Sequence, residues 1–88
     1  MNTYHLIIAS PDGNIFEGEV SALFVRGKGG DLAVLKGHIP FITPIIPCVC
    51  RFIDENGNER AGETQGGLLT VTADSVTLLS DTFSWKQL

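Results

Sequence analysis

Short runs of apolar and β-branched residues alternate with turn signals at intervals of roughly 8–12 residues along the chain, a spacing typical of a β-sandwich or barrel. No stretch of about ten residues keeps a helical period with caps at both ends. We therefore predict an all-β fold. The predicted strands are Tyr4–Ala9, Ile15–Gly18, Val20–Arg26, Asp31–Leu35, Phe41 to about Ile46, Cys48–Asp54, Glu59–Thr64, Leu68–Thr72 and Ser75–Ser80.

Turn residues separate these runs. Pro11-Asp12-Gly13 suits a β-turn, and Asn56-Gly57 is the strongest hairpin signal in the chain. The other predicted turns are Gly27–Gly30, Gln65-Gly66-Gly67 and Ala73-Asp74, while Pro47 breaks or bends the chain.

Several predicted strands are apolar on both sides. Leu23 and Val25 share one side of their strand, opposite Phe24 and Arg26, and Leu69 and Val71 oppose Leu68 and Thr70 in the last hairpin. Two readings remain open: stacked sheets with a partner covering one outer face, or a small sandwich with ordinary surface apolar residues.

The 88 residues predict one domain, residues 1–88, and the 43% share of hydrophobic residues excludes a disordered chain. A net charge of −4 with scattered basic residues argues against nucleic acid and anionic membranes as partners. No apolar run approaches the roughly 20 residues of a spanning helix, and the start of the chain lacks the features of a signal peptide. We expect a soluble, cytoplasmic chain without direct membrane insertion.

The only cysteines, Cys48 and Cys50, lie two residues apart. On a strand they would share one face at about 6.5–7 Å, at or beyond disulfide reach. One Cys-x-Cys pair without further ligands is weak support for a metal site. We expect buried, reduced thiols and no metal.

No constellation of residues predicts catalysis. His5 and His38 lack an orienting partner and a nucleophile nearby in sequence, so we assign them structural or interface roles. The glycines at 27–30 are not followed by a helix, as a phosphate-binding loop requires, and we interpret them as a hairpin end.

Other polar and aromatic candidates also have structural readings. The carboxylates of Asp12, Asp31, Asp54 and Glu55 lie in or beside turns, where such groups cap local backbone. Trp85 either anchors an interface or folds back to cap the core. Catalytic residues and cofactors are predicted to be none.

One stretch carries a specific pattern: Gly30, Leu32, Gly37, His38, Pro40 and Thr43 match G-x-L-x-x-x-x-G-H-x-P-x-x-T. The chain thereby resembles the amino-terminal β-sandwich of the epsilon subunit of F-type ATP synthases. The resemblance covers nearly the whole chain, from Tyr4-His5-Leu6 through Phe16-x-Gly18-x-Val20 to Gly66-Gly67-x-Leu69-x-Val71 and Val76-Thr77-x-Leu79-x-Asp81.

The resemblance implies a small sandwich of two antiparallel sheets with about ten short strands. It implies a non-catalytic rotor subunit of the central stalk of a proton-translocating synthase, linking the gamma subunit to the membrane proteolipid ring and coupling ion flow to ATP synthesis. The expected location is peripheral, on the cytoplasmic face of a bacterial inner membrane.

Positions matching the family's contacts are carried over. The ring-side residues are Lys28, Gly29, Gly30, Asp31, His38, Ile39, Pro40 and Phe41, and the gamma-side residues are Ser10, Ile42 and Thr43. Because the chain ends at Leu88, the inhibitory and ATP-sensing roles of the family's C-terminal helical hairpin are not carried over. Met1 without a tag suggests a naturally short subunit.

The sequence departs from the family pattern at a few positions. Ala33 and Lys36 replace residues usually Gly and Pro, and Cys48 stands where Gly is common. The alternative is a small β-sandwich module binding carbohydrate or nucleotide, which needs an aromatic concave face built from Phe24, Phe52 and Trp85.

Overall fold

Every regular element within residues 2–87, the part of the chain that the computed structural model describes, is a β-strand. Met1 and Leu88, on which the expectation of a naturally short subunit depends, lie outside the described residues. The strands are β1 (Tyr4–Ser10), β2 (Gly13–Gly27), β3 (Gly30–Leu35), β4 (Phe41–Ile45), β5 (Cys48–Asp54), β6 (Glu59–Thr64), β7 (Gly67–Val71), β8 (Ser75–Ser80) and β9 (Phe83–Lys86). The predicted all-β fold is confirmed.

The strands form two layers that share β2. In layer A the first half of β2 pairs with β1, and the sheet continues through β8 and β7 to β4. In layer B the second half of β2 pairs with β3 on one side and β5 on the other, and β5 continues through β6 to β9. A single pairing of Gly27 with Ile45 joins the layers again at β4. The result is a sandwich closed along one side by β2.

Strand direction follows the connections. Strands joined by short turns pair antiparallel, because a tight turn reverses the chain. The exception is β1 with β8, which run parallel with His5 opposite Ser75 and Ala9 opposite Leu79. These strands lie far apart in the sequence, so no hairpin fixes their relative direction. Parallel pairing places Ser10 and Ser80 at the same end of layer A.

Two details of the strand prediction were wrong. The segments Ile15–Gly18 and Val20–Arg26 form one continuous strand, because Gly18 is extended and pairs with Leu6 without interrupting the ladder. The last strand, β9, was not predicted. Its four residues, Phe-Ser-Trp-Lys, do alternate apolar and polar, but the run is short, and it forms a strand because β6 offers a free edge that pairs with residues 83–86.

The core lies between the layers and contains the inward-facing residue of each alternating pair. Leu23 and Val25 share the buried side of β2, and Leu69 and Val71 share the buried side of β7, whereas Leu68 is exposed. The other fully buried large side chains are Leu6, Ile8, Val20, Val34, Phe52, Val76 and Leu78.

A buried hydroxyl pair fastens the ends of the two layers together. Thr64 Oγ1 and Ser80 Oγ lie 2.5 Å apart, and Ser80 Oγ donates to the Thr82 carbonyl at 2.7 Å. The backbone N–H of Gly66 donates to Thr64 Oγ1 at 3.1 Å. Each polar atom in this group therefore has a partner, which removes most of the cost of burying it.

Candidate partner-binding surfaces

The outer surface of layer A exposes three large apolar side chains close together. Ile42 is 66% exposed, Leu79 50% and Leu68 40%. Strand register aligns the surface in two rows. One row contains Ile42, Thr70, Thr77 and Ile7, and the next contains Pro44, Leu68, Leu79 and Ala9. We call this surface the apolar face; it has the character of a surface that a partner covers.

A shallow hollow of about 420 Å³ marks one end of the apolar face. Its lining residues are Ala9, Ser10, Pro11, Gly67, Leu68, Leu79, Ser80 and Asp81. Gly67 is required here, because a Cβ on that residue would collide with the carbonyl oxygen of Leu79. The close backbone approach leaves Leu68 and Leu79 side by side at the rim of a recess suited to an apolar side chain.

A charged cluster borders the apolar face along β2. His5 Nε2 lies 2.9 Å from Glu17 Oε2, and His5 Nδ1 lies 3.2 Å from Glu19 Oε2. Both oxygens belong to carboxylates, which accept but do not donate, so the doubly protonated ring satisfies both contacts. Hydrogen bonds to Glu17 first, and then to Glu19, raise the pKa of His5 above its ordinary value.

The three predicted gamma-side residues occupy different places. Ile42 is central on the apolar face, and Ser10 lines the hollow, where its Oγ accepts the Asp12 backbone N–H at 3.2 Å. Thr43 alternates with Ile42 along β4 and lies on the opposite side of the strand, half-buried, with its Oγ1 donating to the Pro44 carbonyl at 3.3 Å. The structure therefore brings Ser10 and Ile42, but not Thr43, to one surface.

The first predicted ring-side segment, Lys28 to Asp31, forms the tip between β2 and β3. Gly30 adopts φ of 130°, a conformation that side chains disfavour, so the tight turn requires glycine there. Asp31 Oδ1 accepts from Arg26 Nε at 2.7 Å, and both side chains are exposed. This ion pair raises the pKa of Arg26 above its ordinary value.

The second ring-side segment, His38 to Phe41, leads from β3 into β4. His38 Nδ1 lies 2.7 Å from the Leu35 carbonyl oxygen and Nε2 lies 2.9 Å from that of Thr72. A neutral imidazole has one N–H and donates to one of these oxygens; the protonated ring donates to both. His38 thus joins the corner to the β7–β8 turn, which is a structural role, while the neighbouring Ile39 is 81% exposed.

The two ring-side segments do not meet. Residues 28–31 lie at the start of β3 and residues 38–41 follow its end, and five residue steps along a strand span about 17 Å. The pairing of Gly27 with Ile45 places the far end of β4 beside the first segment and leaves Phe41 at the opposite end. The predicted ring-side residues therefore form two separate surfaces.

The outer surface of layer B combines the exposed apolar side chains of Leu35 and Val49 with several paired charges. Arg51 lies 5.3 Å from the centre of the Phe24 ring and 3.8 Å from Glu59, and Lys86 pairs with Glu63 at 3.5 Å. A groove of about 550 Å³ runs over this surface beside Arg26. Its charges have partners on the same surface, in contrast to the apolar face.

Trp85 folds back onto the edge of the core while remaining 43% exposed. Its ring makes edge contacts with Phe16, Phe52 and Phe83 at centroid distances of 5.2–6.4 Å. The Arg60 guanidinium lies 4.2 Å from the Trp85 ring centre and covers the aromatic group. Of the two readings of Trp85, the structure shows the cap.

The aromatic residues needed by the carbohydrate or nucleotide alternative do not line one concave face. Phe52 is fully buried, Phe24 lies on the outer surface of layer B, and Trp85 faces the edge of the interior. The carbohydrate- or nucleotide-binding alternative therefore lacks the aromatic concave face that it requires.

The remaining candidates have local structural roles. Asp54 Oδ1 accepts the backbone N–H groups of Asn56 and Asn58 and caps the β5–β6 turn. Cys50 is fully buried and Cys48 half-buried, both as free thiols. Burial first, and the neighbouring Cys48, raise the pKa of Cys50 to about 12, which suppresses its thiolate chemistry.

Residues 2–87 contain neither a cluster of metal ligands nor a helix that could span a membrane. Within that range, no three His, Cys, Asp or Glu side chains converge as metal ligands. The same residues contain no helix of the length and apolarity that crossing a membrane requires.

The strand order and the two packed layers define the class of the fold: an all-β sandwich. The family model described as ATP synthase, Delta/Epsilon chain, beta-sandwich domain matches residues 3–86. The chain therefore belongs to the ATP synthase delta/epsilon family, through its β-sandwich domain.

Individual relatives agree with this assignment. The chain is 35% identical over 82 residues to an ATP synthase epsilon chain from an Exiguobacterium species. The match covers 93% of this chain and 60% of that relative, so the chain spans less than two thirds of the relative's length.

Solved structures show the same fold. A chain in the mitochondrial ATP synthase of Euglena gracilis, resolved with its c-ring, superposes with a TM-score of 0.88 at 21% identity, over 94% of this chain and 53% of that chain. A chain in the central stalk and c-ring of the Tetrahymena thermophila enzyme gives a TM-score of 0.74 at 14% identity, over 93% and 66% of the two chains.

Proposed function

We propose that this chain acts as a non-catalytic rotor subunit in the central stalk of a proton-translocating F-type ATP synthase. In this role it binds the gamma subunit, contacts the proteolipid ring and helps to couple ion flow to ATP synthesis. It is a peripheral component, on the cytoplasmic face of a bacterial inner membrane. The observation that carries the proposal is the apolar face of layer A, in a chain of this family.

The apolar face is the proposed contact with gamma. Leaving Ile42, Leu68 and Leu79 in water forgoes the stabilisation of their burial, about 25 cal/mol for each Å² of apolar area. A permanently bound partner would bury these side chains and gain that stabilisation. The hollow beside Ser10 would give the interface a recess for one anchoring side chain. Thr43 contributes indirectly, through the backbone of β4.

The proposed ring contact is made by the exposed segments on either side of β3. The tip from Lys28 to Asp31 offers charged groups, and the corner from His38 to Phe41 offers Ile39. A ring surface that touches both must extend along β3; one that touches a single segment leaves the other free. The two segments can therefore be tested separately.

The mechanical role suits the architecture. The closely packed core and the strand shared by both layers resist deformation, so a force applied at one surface reaches the other with little loss. The domain would transmit torque as a rigid spacer between gamma and the ring, with no chemistry of its own.

The test is binding of purified gamma subunit from the same synthase to two matched variants. Ile42→Asp places a charge in the apolar face, and Val49→Asp places one on layer B, where Val49 is 41% exposed. We expect the first to weaken gamma binding by about 100-fold or more and the second by less than about threefold. Both variants should unfold at temperatures near that of the wild type.

Two results would count against the proposal. If wild-type chain leaves gamma unbound at micromolar concentrations, the stalk role fails. If gamma binds and Val49→Asp weakens it as much as Ile42→Asp does, gamma contacts another surface.

A further inference from the structure

Charge is divided unevenly between the two layers. No Lys or Arg occurs in residues 2–19, 41–45 or 65–82, which build layer A and its turns. These segments contain five of the ten acidic residues, namely Asp12, Glu17, Glu19, Asp74 and Asp81. All six Lys and Arg residues, with the other five acids, belong to layer B and its connections. Of the net charge of −4, layer A therefore contributes −5 and layer B +1, with His neutral.

The five acids surround the apolar face on three sides. Asp12, in the β1–β2 turn, and Asp81, which follows β8, lie at the end with the hollow, because β1 and β8 run parallel. Asp74 lies in the β7–β8 turn at the other end. Glu17 and Glu19 line the side formed by β2, and the fourth side is the uncharged strand β4.

The five acids differ in whether a side chain of the same chain forms an ion pair with them. His5 is held between Glu17 and Glu19, as described above. Within residues 2–87, Asp12, Asp74 and Asp81 make no ion pair, and all three are exposed. In layer B, Asp31, Glu59 and Glu63 each pair with a cation on the same surface, while Asp54 and Glu55, at the β5–β6 turn, make no ion pair within the described residues. A ring of unpaired like charges does not help folding and is instead available for an external cation.

We propose that the apolar face docks a protein surface with an apolar centre and a rim of Lys or Arg, whose cations meet Asp12, Asp74 and Asp81. The inference rests on the proposed function for one point, the identity of that partner as gamma. Complementary rim charges accelerate association and fix register more than they add affinity. The same charges exclude other occupants: an anionic membrane or nucleic acid is repelled, and two copies of this chain face to face would oppose two acidic rims.

The experiment compares two double variants with equal charge changes. Asp12→Asn with Asp81→Asn removes the two acids beside the hollow, and Glu55→Gln with Glu59→Gln removes two from layer B. Association with purified gamma is measured at about 50 mM and about 500 mM salt, where the screening lengths differ about threefold. Thermal unfolding of each variant confirms that it is folded.

We expect the first double variant to weaken binding by about three- to tenfold at low salt, mainly through a slower association rate, and to approach the wild type at high salt. The layer B pair should stay within about twofold of the wild type at both salts.

Each contrary result has a separate meaning. Gamma binding that ignores salt, or that responds equally to both double variants, overturns the basic-rim inference and leaves the stalk role standing. No gamma binding at either salt overturns both. Sedimentation could also show that the wild-type chain forms a dimer at low salt and that the first double variant does not. The occupant of the apolar face would then be a second copy of this chain, and the basic-rim inference would be overturned.

Discussion

The two outer faces of the sandwich are built from the same kind of strand and yet differ in how their side chains are satisfied. On layer B, Arg26 and Arg51 find carboxylates or an aromatic ring on their own surface. On layer A, Leu68 and Leu79 lie in water next to the unpaired Asp81. Layer B also exposes Leu35 and Val49, but several of its charges are paired on the same surface. Layer A combines exposed apolar groups with unpaired acids, as expected of a surface that a partner covers.

The largest expected effect tests the two sides of one strand. Leu69→Ala removes a fully buried side chain of β7 and should lower the free energy of unfolding by about 2–5 kcal/mol. Leu68→Ala, on the apolar face, should lower it by less than about 1 kcal/mol and weaken gamma binding instead. Chemical denaturation measures both values. Equal losses for the two variants would show that Leu68 belongs to the core.

A second prediction concerns the edge of layer B. Arg60→Ala should lower the free energy of unfolding by about 1–2 kcal/mol, because it uncovers the Trp85 ring and its aromatic neighbours. Arg60→Lys keeps the charge and loses the flat stacking surface, so it should recover only part of that loss. Trp85 is the only tryptophan, and its emission should shift to longer wavelength in Arg60→Ala. An unchanged spectrum and an unchanged stability would show that the contact between the Arg60 guanidinium and the Trp85 ring does not stabilise the fold.

A third prediction concerns pH. The pKa of His5 is raised in the folded chain, so the stabilisation from its contacts with Glu17 and Glu19 is fully present below about 6.5, the ordinary value, and is lost as pH rises through the folded value. The melting temperature should therefore fall by a small amount across that interval. His5→Gln should flatten this part of the profile. A wild-type profile that rises there, or that His5→Gln leaves unchanged, would contradict the assignment.

The smallest effect on stability is expected at the tip of β2 and β3. Asp31→Arg removes an ion pair between two exposed side chains and should change the free energy of unfolding by no more than about 0.5–1 kcal/mol. If the tip contacts the ring, the same variant should lose association with the purified proteolipid ring. Ile39→Asp at the other end of β3 is the matched test of the second segment. Failure of Asp31→Arg to fold would show that the tip is structural.

Most of the fold could be predicted from the sequence, because period-two alternation and turn residues act locally. Asn56-Gly57 forms the hairpin it indicates, and Leu23 and Val25 share one side of β2, as their alternation indicates. The long strand β2 could not be predicted, since Gly18 resembles an interruption until β1 pairs across it. Residues 83–86 alternate apolar and polar, but four residues are too few to predict a strand, and β9 depends on pairing with the free edge of β6.

The candidate surfaces were less accessible to sequence reasoning. Ile42 was identified through family resemblance, but its neighbours Leu68 and Leu79 join it only through the register of β4, β7 and β8. Asp12 and Asp81 meet at one end because two remote strands pair in parallel, and no turn encodes that pairing. The separation of the two ring-side segments was also not predicted, because it follows from the extended strand β3 that lies between them.

The shared strand β2 has a consequence for how the molecule comes apart. Its backbone amides are hydrogen-bonded to β1 in the first half and to β3 and β5 in the second, so neither sheet can open completely without breaking into the same fifteen-residue strand. Amide hydrogens of β1 and β5 should accordingly exchange with deuterium through one common global event. A domain made this way should unfold all at once or not at all, and it should offer proteases no half-unfolded intermediate.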